Sequence, residues 1–116
     1  RAASRRIARN LGLARDLRQQ GDKAGFFGAI SAALRDLLDH KLGELTEGMT
    51  RSELAERLEA AGFSPEQVAA VTEELENCDF ARFAPAASGE TQMDETLARV
   101  KKLLNQLSRV RSKRGV

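Results

Sequence analysis

Apolar residues recur at intervals of three and four along most of this chain, and no stretch alternates apolar and polar for long. That period belongs to helices that bury one face, not to strands. Ala, Leu, Arg, Glu and Gln dominate and β-branched residues are scarce, which suits the same conformation. The pattern predicts an all-α fold, a compact bundle of about five helices.

The first helix is expected near residues 3–20, with Ile7, Leu11, Ala14 and Leu17 on one face. Gly21 and Asp22 make a tight turn into a second helix near 22–42. Its apolar positions are Phe26, Phe27, Ile30, Leu34, Leu37, Leu38 and Leu42, and Gly43 is placed to end it in a left-handed conformation. The third and fourth helices, near 50–61 and 64–83, have strongly marked starts. Thr50 and Glu53 form a candidate capping box, flanked by Met49 and Leu54 as a hydrophobic staple. Ser64 and Gln67 repeat the device with Pro65 at the first helical position and Phe63 and Val68 as the staple. Each cap is worth about 1 kcal/mol. Gly62 separates the two helices, so they form a close hairpin. The fourth presents Val68, Val71, Leu75 and Cys78 inward. The fifth, near 91–109, shows Met93, Leu97, Val100, Leu104 and Leu107. The first two helices have the look of a tetratricopeptide-type hairpin. No second copy follows at the spacing of about 34 residues that such arrays need, so a generic helical hairpin is the better description.

Charge divides the chain more sharply than its net +2 suggests. Residues 1–20 sum to +5, residues 21–100 to −9 and residues 101–116 to +6. The expected organisation is a basic first helix over 1–20, a bundle continuing over 21–109, and a basic frayed tail over 110–116. The sequence starts at Arg1 and not at Met, so a fragment of a longer protein or a processed chain is expected. No apolar run approaches the roughly 18 residues of a membrane span.

The 116 residues suffice for one modest core. One cysteine, Cys78, and one histidine, His40, exclude an internal disulfide and leave almost no room for a zinc site. There is no phosphate-binding loop and no nucleophile elbow. His40 lacks an identifiable nucleophile beside it, and Cys78 falls on the apolar stripe. In "EELENCD", Glu76 and Asp79 could share a face, but one pair makes no metal cage. No catalytic, cofactor-binding or metal-binding residues are expected, and no cofactor.

Two features remain for recognition. The basic ends admit three readings. They could neutralise nucleic-acid phosphates, although no aromatic lies among them to stack on bases and the acidic body would repel the backbone. Arg1, Arg5, Arg6 and Arg9 could form the Lys/Arg cluster found just inside a membrane after a spanning helix. Or the charge could serve solubility alone. The second feature is "CDFARFAP", residues 78–85, which holds two of the five phenylalanines of a chain without Trp or Tyr. Phe80 and Phe83 lie three apart around Arg82, and Pro85 disfavours helix at Ala84. They form either a binding site or a structural clasp that seals the bundle where the fourth helix stops. The helix-ending position favours the clasp of Phe80, Arg82, Phe83 and Pro85.

The segments "GDKAGFFGAISAALRDLLDHKLG", "LTEGMTRSELAERLEAAGFSPEQV" and "CDFARFAP" resemble, in order, the C-terminal cytoplasmic domain of the BatD family of bacterial aerotolerance membrane proteins. The resemblance covers residues 20–110. It is most specific at the Thr-x-x-Glu-Leu helix start and at Arg82-Phe83-Ala84-Pro85. Leu37 departs from it, standing where the family often has Tyr. A related helical module occurs at the C-terminus of some membrane-bound transglutaminase-like proteins. The BatD resemblance implies a single-span protein with this domain on the cytoplasmic face of the bacterial inner membrane. There the first arginines would meet an anionic membrane surface. It also implies a non-catalytic adaptor role beside von Willebrand factor A-domain Bat proteins and a MoxR-type AAA+ ATPase. No nucleic acid is expected as a partner.

Overall fold

The structure, a computed structural model, describes residues 2–83 and 89–111. Five α-helices follow one another: α1 (Ala2–Gln19), α2 (Lys23–Leu42), α3 (Arg51–Ala60), α4 (Pro65–Phe83) and α5 (Glu90–Ser108). The described residues contain no strand, and no helix is long and apolar enough to cross a membrane.

The hub is α2. It packs against α1, α4 and α5, and ten of its residues are buried, Phe26, Ile30, Leu34, Leu38 and Leu42 completely. Its apolar side chains are spread around the axis rather than confined to one stripe, as a helix enclosed by neighbours requires. Phe26 and Phe27 meet edge to face with ring centroids 5.0 Å apart. Around this hub close Ala14 of α1, Leu54 and Leu58 of α3, Val71 and Cys78 of α4, and Val100 and Leu107 of α5.

Local sequence sets each corner. Gly21 takes φ 77°, and the Asp22 N–H returns to the Leu17 carbonyl at 2.9 Å. Asp22 then caps α2 by accepting from the Gly25 N–H at 2.9 Å. A Cβ on Gly25 would come within 2.5 Å of the Asp22 carboxylate, so the cap and the glycine go together. At the other end of α2, Gly43 is left-handed and its N–H reaches the Asp39 carbonyl.

Contacts between helices give the directions of α1, α4 and α5 relative to α2. Asn10 donates to Asp36 at 2.8 Å, which places the first half of α1 beside the second half of α2. Lys41 Nζ donates to the carbonyls of Ser108 and Val110 at 2.9 and 2.6 Å, so α5 ends beside the end of α2. Arg18 Nη2 donates to Asp94 at 3.0 Å, with Glu90 at 3.9 Å, joining the end of α1 to the start of α5. Arg82 of α4 lies against Gly28, near the start of α2. Thus α1 and α4 run against α2, while α5 runs with it.

Candidate functional site

The two reactive side chains lie in different settings. His40 is exposed. Cys78 is fully buried. Burial pushes its thiol pKa up to about 12, helped by the nearby carboxylates of Glu74 and Asp79, so it remains a neutral, core-filling group. Among the described residues no group of three or more His, Cys, Asp or Glu could hold a metal ion. The carboxylates of the acidic run instead face cations. Glu76 accepts from Arg51 Nη1 at 2.6 Å, and Glu74 accepts from Arg99.

The aromatic clasp requires correction. Phe80 and Phe83 are 76% and 80% exposed and seal nothing. The register of α4 explains why. Its buried stripe of Val68, Val71, Leu75 and Cys78 continues to Ala81, which is 3% exposed. At 100° per residue Phe80 then falls close to diametrically opposite the core, and Phe83 lies on its flank. Arg82 turns beside the aromatic pair, with its guanidinium carbon 5.4 Å from the centroid of the Phe83 ring. Pro85 lies outside the described residues. The same outer face of α4 carries Glu66, Glu73 and Glu76, all exposed. An acidic stripe therefore ends in two bare aromatic rings.

The cap residues serve the fold. Thr50 Oγ1 accepts from the Glu53 N–H at 3.0 Å while Glu53 accepts from the Thr50 N–H at 2.8 Å. Those hydrogen bonds hold the Glu53 pKa below the ordinary carboxylate range. Ser64 and Gln67 exchange the equivalent pair at 3.1 and 2.9 Å.

A polar knot went unseen in the sequence. Thr46, fully buried, donates from its N–H and its hydroxyl to Asp39 Oδ1 at 2.8 and 2.7 Å. Arg35 donates to the Thr46 carbonyl at 3.2 Å. Beside the knot a groove of about 400 Å³ runs between α2 and α4, lined by Ser31, Arg35, Asp39, Asp79 and Arg82 among others. Arg35 and Asp39, which line it, are both engaged by Thr46.

The basic residues divide into bound and free. Arg6 is 3.8 Å from Asp36. Arg5 and Arg9 lie one turn apart on the side of α1 away from Ala3 and Ala14, both exposed. Arg1 lies outside the described residues. Because α1 starts where α5 ends, these arginines share one end of the bundle with Arg109 and Arg111, about 100 positions later in the chain. The Phe80–Phe83 pair occupies the other end. No family model, curated protein or solved structure matches this chain.

Proposed function

We propose that this is a non-catalytic docking domain that recognises a protein partner through the Phe80–Phe83 end of α4. The observation that carries this reading is the exposure of both rings at 76% and 80%. Two large aromatic side chains on one helical face bring area to an interface at little entropic cost, and such residues dominate binding energy. The carboxylates of Glu66 and Glu73 on the same face select a partner whose apolar patch is rimmed by basic residues. Arg82, stacked beside Phe83, supplies a cation next to the pair and fixes the orientation of an acidic group on the partner.

The resemblance in "GDKAGFFGAISAALRDLLDHKLG" and "CDFARFAP" supplies the setting of this proposal. The domain would be the cytoplasmic part of a BatD-like membrane-anchored protein, acting as an adaptor in a Bat/MoxR-type assembly. Its partner of first choice is a von Willebrand factor A-domain Bat protein, with a MoxR-type AAA+ ATPase as the second. The test is calorimetric titration of the purified chain with each candidate, using unaltered protein and the Phe80→Asp/Phe83→Asp variant. Binding that weakens about thirtyfold or more, with the melting temperature unchanged, supports the proposal. Equal affinity of the two forms would remove the aromatic pair from the interface.

A further inference from the structure

Between α1 and α5 an open groove of about 260 Å³ exposes the underside of the bundle. Leu37 of α2 forms its floor, Ile7 and Leu11 one wall and Leu104 the other, with Ser4 and Ser108 at the lip. Its lining is almost wholly apolar, although it lies at the most basic end of the molecule. From residue 2 to 15, and again from 96 to 111, the chain contains no acid. Arg5 adjoins Ser4, Arg15 follows Leu11 by one turn, and Lys101 precedes Asn105 by one turn on the groove side of α5. Arg109 and Arg111 close the end. All five are exposed, and none has an ion-pair partner among the described residues.

From this juxtaposition we propose that the α1–α5 pole seats on an anionic phospholipid bilayer. The groove takes the upper acyl carbons of one lipid, and the surrounding cations hold its phosphate and those of its neighbours. An apolar slot ringed by cations matches an anionic amphiphile, since each part of the ligand meets its own kind of surface. The cations come from two helices and flank the groove along its length, which suits a plane of charge better than a single extended strand. The groove spans only the stretch from Ser4 to Leu11 on α1, about 10 Å of helix. That length suits a chain end better than a docked helix. This proposal deepens the membrane-proximal setting given above, yet it shares no residue with the Phe80–Phe83 surface.

The test is co-sedimentation of the chain with vesicles of phosphatidylglycerol and phosphatidylcholine, against vesicles of phosphatidylcholine alone. Because the chain has no tryptophan, Ser4→Trp supplies a single fluorophore at the lip of the groove. Binding to the anionic vesicles only, declining with salt and accompanied by a blue shift of the tryptophan emission, is the expected result. Arg5→Glu/Arg15→Glu and Lys101→Glu/Arg111→Glu should each weaken it about thirtyfold, because both helices contribute cations to one groove. Phe80→Asp/Phe83→Asp should bind vesicles as the unaltered chain does, so failure here and failure of the protein-docking proposal are read separately. Undiminished binding by the α5 variant would overturn the proposal. So would sedimentation without a blue shift, or equal affinity for duplex DNA at the same salt, which would make the pole a general polyanion site.

Discussion

Phe80 and Phe83 show how a single residue can be misplaced by a sound local rule. Their spacing and the following proline identify the end of a helix, and that much is legible in "CDFARFAP". Which way they point depends on a phase that is set ten residues earlier, by Val68, Val71 and Leu75. Extending that phase places Ala81 inward and turns both rings out, so the signal was present in the spacing and the aromatic identity obscured it. The energetic consequence separates the two roles. Phe80→Ala and Phe83→Ala are each expected to change stability by no more than about 0.5 kcal/mol in urea denaturation, as surface changes do. Leu34→Ala, which opens a cavity at a fully buried site of α2, should cost about 2–5 kcal/mol. A loss of comparable size at Phe83 would restore the clasp.

At the scale of an element, what could be read in advance was whatever the chain settles within four residues. The two capping boxes, the left-handed Gly43 and the start at Pro65 all belong to this class. The Arg35–Asp39–Thr46 knot does not, because Asp39 must be placed by α2 before Thr46 can reach it across the intervening turn. Nothing in "LGELTEGMT" marks Thr46 as a buried residue. The capping box at α3 also makes a signed prediction about pH. Glu53 is held deprotonated by the Thr50 N–H and hydroxyl, so its folded pKa lies below the unfolded one. A depressed carboxylate contributes stability above the unfolded pKa and loses it as pH falls through the folded value. Removing the N-cap side chain itself, Thr50→Ala, should cost about 1 kcal/mol at neutral pH. Glu53→Gln should erase most of the pH dependence arising at this helix start. Acid denaturation profiles of the two variants that run parallel to the unaltered chain would show that the box contributes nothing to the titration.

On the scale of the whole molecule, the basic ends of the sequence become one pole only because α5 returns along α1 with its direction reversed. Five amphipathic helices could be counted from their periodicity, but their directions and neighbours depend on contacts between residues dozens of positions apart, which periodicity does not encode. One ion pair joins α5 to α4, beside the buried apolar face of α5. Glu74 is only 7% exposed and accepts from both Nε and Nη2 of Arg99, whose side chain stays half in solvent. The two partners are therefore not equivalent. Removing the cation strands a buried carboxylate, whereas removing the carboxylate leaves a guanidinium that water can serve. Arg99→Met should destabilise the bundle by about 1–3 kcal/mol. Glu74→Met should be close to neutral, and the double variant should recover most of the loss, a coupling that a double-mutant cycle in urea measures directly. If α5 is positioned by this pair, Arg99→Met should also weaken vesicle binding at Lys101 and Arg111, two and more turns from the aromatic end. The double variant should restore it. Additive losses with no recovery would mean that α5 is held by its apolar face of Met93, Val100, Leu104 and Leu107 alone, with Glu74 and Arg99 merely lying alongside.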